Sequence, residues 1–271
     1  MMGTRAAIRL GYIDLSFHAA SASVVQAILE RHGHEVALSA APHEAMFQRL
    51  RAGEVDVVAS AWLPASHGEY LAPLQNEVEK LAVLYEPYCI WGVPDYVPRD
   101  VLASVDDLKK PEVLANIDKF IDGINPGAGI SRFSSAMIDA YGLDCYGYRF
   151  YPGSEASSFT KFKRAVVNKR WLVIPLWHPQ YLHHDYPIRA LEEPKGLLGG
   201  TDQATLVARK VVLPAIAPSA LAELRMLHLG NAVVTDLEHA IQVEGLTPLQ
   251  AATRWLAARS EPAPAAVRLC G

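Results

Sequence analysis

The sequence predicts an α/β fold, and three observations predict it. Strand-like and helix-like segments alternate along most of the chain. The helix-like segments run to ten or so residues, a spacing that builds βαβ units and parallel sheet. Apolar residues make up 51% of the 271 residues, enough for a sizeable core and too many for a disordered chain. That length suits either one large domain or two lobes.

The elements follow in order. "AIRLGYI" reads as a strand, and "AASASVVQAILERHG" as a helix ending at Gly33. "EVALSA" is a strand, "HEAMFQRLRAG" a helix closed by Gly53, and "VDVVASA" the next strand. "LAVLYEPYCIWGVP" is long and extended. "SVDDLKK" has Ser104 as N-cap with Asp106 and Asp107 in its first turn. "IDGINPGAG" is a strand and a Gly-rich turn, "SRFSSAMIDAYG" and "SSFTKFKRAVVNKR" are helices, and "WLVIPLW" is a strand. After "DQATLVARK" the chain turns mostly helical, with "PSALAELRMLHLGNAVV", "DLEHAIQVEG" and "TPLQAATRWLAARS", and the tail "EPAPAAVRLCG" reads as loose. No fixed-period repeat or low-complexity linker is present. Two lobes would have to join through extended segments, with "CIWGVP" near residue 90 and "TLVARK" near residue 207 as the crossing points. The outer lobe would then be built from both chain ends.

Several function classes are excluded. A net charge of −4 leaves no footprint for nucleic acid or for an anionic membrane surface. The cluster Lys161, Lys163, Arg164, Lys169 and Arg170 falls at helical spacing and reads as a solvated face. No apolar run is long enough to span a bilayer. "MMGTRAAIRLGY" has Arg5 and Arg9 but no apolar segment of the secretory kind, so no signal peptide is expected. Cys89, Cys145 and Cys270 are odd in number and far apart, which predicts no disulfide framework and no redox or metal motif.

The motifs narrow the chemistry. In "INPGAGISR" the third position of a dinucleotide fingerprint is Arg132, not glycine, so no nucleotide cofactor is expected. The turn reads either as a plain tight turn or as an anion site, with the amides of Gly129 and Ile130 as donors at a helix start. Neither His178, His183 and His184 nor His32 and His34 have carboxylate or cysteine partners at metal-site spacing, so no metal is expected. Nucleophile-elbow, P-loop and zincin motifs are absent, which lowers the case for an enzyme. Trp62 and Trp177 each end a strand, and each is followed two residues on by proline. Ligand crevices of open α/β sheets lie at such strand ends, and indole faces attract cations. The two indoles read either as core or as walls of a cage for a quaternary ammonium group. Trp171 and Trp255 read as core.

Taken together and in order, "LGYID", "VVQAILERHGHEV", "SAWLPASHGEY", "VPDYVP", "SVDDLKK", "GINPGAGI", "LWHPQYL", "LEEPKGLLGGTDQATLVARK" and "TPLQAATRWL" resemble one family. It is that of the substrate-binding proteins of ABC importers for glycine betaine, proline betaine and related compatible solutes. The resemblance covers nearly the whole chain. It implies a two-lobed periplasmic-binding-protein-like fold of type II with two crossovers. Lobe I would be residues 1–88 plus 208–271, and lobe II residues 89–207. It implies a non-enzymatic protein of periplasmic or extracytoplasmic location, serving osmoprotection. That protein would close its cleft over a betaine-like zwitterion and deliver it to an ABC permease, with no cofactor.

By the same resemblance Trp62 and Trp177 are cage walls, His67 binds the ligand carboxylate, and Gly129 and Ile130 give it backbone donors. Many relatives carry a third cage tryptophan where this chain has Leu15 or Ala128. Tyr12, Phe17 and Trp91 are the candidates to close the gap, and Asp14 beside it could meet an amine N–H. The alternative readings are therefore an amino acid or less methylated amine on the same fold and, in another class, a small-molecule enzyme using His67 or Asp14.

Overall fold

The computed structural model describes residues 7–260; Arg5, Cys270 and the tail from residue 261 lie outside the described residues. The first half runs β1 (Ile8–Ile13), α1 (Ser16–Arg31), β2 (Val36–Ala41), α2 (His43–Ala52), β3 (Val57–Leu63), α3 (Gly68–Leu71), β4 (Val78–Tyr85), β5 (Tyr88–Pro94), α4 (Pro111–Asn116) and β6 (Phe120–Asp122). Then come α5 (Gly129–Ala140), β7 (Arg149–Tyr151), α6 (Glu155–Val167), β8 (Ile174–His178), α7 (Leu182–Asp185), β9 (Ile188–Ala190), β10 (Gln203–Arg209), α8 (Pro218–Arg225), α9 (Gly230–Gln242) and α10 (Pro248–Ser260).

The first sheet has the order β2-β1-β3-β10-β4. Its parallel part is the expected βαβ unit, with β1 between β2 and β3. β10 is antiparallel to both β3 and β4, so the sheet is mixed. β3 is buried along its whole length, as a central strand covered on both faces should be. The second sheet, β8-β5-β9, is antiparallel throughout, which corrects the expectation of parallel pairing there. β6 and β7 form a separate parallel pair.

The chain leaves the first sheet between β4 and β5 and returns to it at β10, which is hydrogen-bonded to β3 and β4 from Gln203 onward.

Local signals match the helix ends. Ser104 caps a 3-10 turn and forms a capping box with Asp107. Ser154 does the same for α6 with Ser157. Gly53 closes α2 with φ of 71°, a conformation that glycine adopts without strain. The segment from 218 to 234 is not one helix, because the chain breaks at 226–229 before α9 begins. Of the basic cluster only Lys161, Lys163 and Arg164 lie on α6, with Lys169 and Arg170 beyond its end, and Lys161 bridges Asp118 and Asp122 at 3.3 and 3.2 Å. Cys89 and Cys145 are free thiols.

Candidate functional site

The C-terminal ends of β3 and β8 bring Trp62 and Trp177 to the same place. Phe17, at the start of α1, stands between them: its ring centroid is 5.2 Å from Trp62 and 5.5 Å from Trp177. Phe159 of α6 backs Trp177 at 6.0 Å. All four rings are buried. Both prolines that follow the indoles, Pro64 and Pro179, are preceded by cis peptide bonds.

Beside this cluster lies a small cavity of about 20 Å³, lined by His18, His43, Trp62, Ser66, His67, Ile124, Ala128, Gly129, Ile130 and Trp177. That volume admits about one water. The rings and the two sheets' loops are thus closed upon one another.

His67 is held for a defined role. The Trp62 backbone N–H donates to its Nδ1 at 2.8 Å, so the neutral ring carries its proton on Nε2. Burial holds the ring neutral, and His43, His18 and Arg132 push in the same direction. His18 and His43 complete an imidazole group around His67, with ring centroids 6.0 and 5.3 Å from it. Burial pushes both well down, His43 to about 4. His18 Nδ1 bonds Ser60 Oγ at 2.5 Å. Ser60 itself has φ of 55° inside β3, where the register with β10 shifts. A non-glycine residue there costs on the order of 1–3 kcal/mol, a type of strain that concentrates at functional sites.

The opposite wall is the start of α5. Gly129 and Ile130 are its first residues, so their amides precede the first intrahelical hydrogen bond and face no helical acceptor. Gly129 is required by close approach, since a Cβ there would stand 2.7 Å from Ser66 Oγ and 3.0 Å from Ser66 Cα. Around this contact Arg132 reaches from α5 to Ser66 O at 2.7 Å, to Tyr70 Oη at 3.1 Å and to Glu69 at 3.0 Å. Asp202 fixes the same loop by accepting from the amides of Ala65 and Ser66 at 2.7 and 3.0 Å.

Two buried nitrogens of the cavity lining, the Trp177 Nε1 donor and His43 Nδ1, have no hydrogen-bond partner among the described residues. Such groups are expensive to leave unpaired. Trp62 differs, since its Nε1 donates to Tyr85 Oη at 3.0 Å.

The sequence candidates divide between three places. Trp62, His67, Trp177, Gly129 and Ile130 line the cavity, and Phe17 packs between its two indoles. Tyr12, Asp14 and Leu15 instead line an outer groove of about 610 Å³, together with Asn125, Glu155, Lys163 and Tyr181. Trp91, on the central strand of the second sheet, is fully buried, with its Nε1 donating to Ser134 Oγ at 2.8 Å. Sequence reasoning missed His18, His43, Arg132 and Asp202. Only Asp202 lay inside a segment that carried the resemblance, and nothing in the spacing of the other three marked them.

Comparison with known proteins gives a consistent result. Residues 6–258 match the family described as the substrate binding domain of ABC-type glycine betaine transport systems. A glycine betaine/carnitine transport binding protein of Listeria monocytogenes is 25% identical over 147 residues, 54% of this chain and 48% of that protein. The match thus spans about half the length of that relative. Among solved structures, lactococcal OpuAC in its closed form with glycine betaine superposes with a TM-score of 0.81 at 25% identity, covering 93% of this chain and 96% of that one. The glycine betaine/L-proline-binding protein of Borrelia burgdorferi has the same fold, with a TM-score of 0.81 at 22% identity over 92% of each chain. So has a choline-binding ABC-transporter protein, at 0.81 and 18% identity, covering 96% of this chain and 90% of that one.

Proposed function

The chain belongs to the family of substrate-binding domains of ABC-type glycine betaine transport systems, and on that premise we propose that it captures a betaine-like zwitterion by closing two lobes over it. Among the described residues, lobe I is formed by residues 7–88 and the chain from β10 to α10, and lobe II by the residues between. The observation that carries the reading is the cavity with two chemistries. One side is indole, which favours a desolvated quaternary ammonium by about 0.5–2 kcal/mol per ring. The other side presents His67 and the first amides of α5, all donors to a carboxylate. Phe17 takes the third aromatic position that Leu15 and Ala128 leave open.

No helix among the described residues is long and apolar enough to cross a membrane. By its family the expected partner is an ABC permease, and the expected location is extracytoplasmic. Asp14 lies in the outer groove and not at the cavity, so the reading with a less methylated amine has no acidic partner at the cage. Isothermal calorimetry with glycine betaine, dimethylglycine, choline, carnitine and a free amino acid tests the reading. Glycine betaine is expected to bind most tightly; tighter binding of the free amino acid overturns the assignment.

A further inference from the structure

A second polar cluster joins the two halves of the molecule away from the cavity. Ser16, at the start of α1, has its Oγ within hydrogen-bond distance of two carboxyls: Glu155 Oε1 of α6 at 3.2 Å, and Glu238 Oε1 of α9. Glu238 is fully buried. It also accepts from Gln180 Nε2 at 3.1 Å and from the Tyr181 amide at 2.7 Å, just after Trp177 and Pro179. No cation pairs with either carboxyl among the described residues. Lys163, which lines the same groove, donates to Tyr181 Oη at 3.2 Å instead.

Counting hydrogens decides what this cluster needs. A hydroxyl carries one proton and can donate to one carboxylate. The second contact then sets lone pair against lone pair unless that carboxyl is protonated and donates back to Ser16. One proton shared between the two carboxyls relieves this. With α1 and α9 on one lobe and α6 on the other, the arrangement exists only when the cleft is shut.

We propose that Glu155, Ser16 and Glu238 form a proton-binding site in the seam, so that closing the lobes takes up one proton and solute capture is proton-coupled. This rests on the lobe-closing reading above. Burial pushes both carboxyls up, Glu155 to about 7, and each raises the other or is raised by a neighbour: Asp14 acts on Glu155, and Glu155 on Glu238. The other groups facing the pair do not neutralise it. Tyr12 and Asp14 come from the end of β1, Tyr85 from β4, Tyr181 and Asp185 from beside and within α7, and Lys163 from α6. His239, the next residue on α9, pairs with Asp185 at 3.4 Å.

The sign follows from raised values. The clasp is at full strength below the ordinary carboxylate range and is lost as pH rises through about 7. Glu155→Gln supplies an amide that donates to Ser16 and does not titrate. In thermal melts of the ligand-free chain, wild type is expected to lose stability relative to Glu155→Gln as pH rises from about 5 to about 8. Parallel curves overturn the proton site. Infrared spectroscopy of the wild type needs no variant: a protonated-carboxyl C=O band is expected at about pH 6, where exposed carboxyls are ionised, and its absence overturns the site too.

Calorimetry with glycine betaine, in two buffers of different ionisation heat at about pH 7, reads the coupling. Wild type is expected to take up roughly half a proton more than Glu155→Gln. The histidines contribute equally to both proteins and cancel in the difference. Equal counts overturn the coupling. Absence of any glycine betaine heat overturns the coupling together with the solute reading, while the melts and the infrared band still judge the proton site.

Discussion

The two indoles that meet Phe17 are held in different ways. Trp62 is braced by its own sheet. Its ring N–H is bonded to Tyr85, its backbone N–H orients His67, and the strand beneath it is kinked at Ser60. Trp177 has no such brace: its ring N–H is buried without a partner among the described residues, and rings on either side hold it by contact. Hydrogen bonds fix the geometry of the first ring, whereas ring packing alone holds the second. Preorganisation on one side lowers the cost of binding, and an unpinned ring on the other leaves room to adapt.

The hardest test of this contrast removes each ring. Trp62→Ala and Trp177→Ala each empty a large buried volume and should cost about 3–5 kcal/mol in denaturant unfolding. Each should also weaken glycine betaine by about tenfold or more in calorimetry. Trp62→Ala should be the more damaging to stability, because it also removes the indole donor from Tyr85. The opposite ranking would dissolve the distinction between a braced and an unbraced wall.

Acid should act next. His18, His43 and His67 are held neutral by burial, with His43 lowered to about 4. A lowered histidine contributes stability that is present above its unfolded value and lost as pH falls through its folded value. Thermal melts should therefore show this contribution fading between about pH 6.5 and about pH 4. The raised Glu155 titrates with the opposite sign, so the contribution is read as the difference between wild type and His43→Gln. If that difference does not change with pH, His43 is not a buried neutral ring.

Tyr85→Phe gives the first wall the condition of the second. It leaves Trp62 Nε1 buried and unpaired, which should cost about 1–3 kcal/mol in thermal or chemical unfolding. Unchanged stability would mean that the bond to Tyr85 does no bracing. The smallest effect is expected at Leu15→Trp. Position 15 faces the outer groove, so glycine betaine affinity should change by no more than about 0.5 kcal/mol, roughly twofold. A tenfold gain would return residue 15 to the cage and displace Phe17 from it.

Much of the frame was legible in the sequence for a local reason. The period of apolar residues, the glycines after α1 and α2 and the serine caps at Ser104 and Ser154 each act within a few residues, and each stands in the structure near its expected place. Strand direction was less legible, because antiparallel β10 is set by partners more than a hundred residues away. Of the candidate site, Trp62, His67, Trp177 and the start of α5 were named from their motifs, and they line one cavity. The choice of Phe17 over Tyr12 or Trp91 was not, since it depends on which face of a strand or helix end turns inward. His18, His43 and Glu238 carry no local signal; burial alone makes them unusual, and burial is a property of the folded whole.

The place of β10 in the first sheet also has a consequence for the order of folding. It sits between β3 and β4, so until residue 209 has left the ribosome both strands lack an inner neighbour. The second sheet, by contrast, is complete once β9 has emerged. Early synthesis thus exposes two apolar strand edges, the kind of surface that invites wrong pairing. The half of the molecule that begins the chain is the last to be finished, and its most conspicuous feature during translation is a gap the width of one strand.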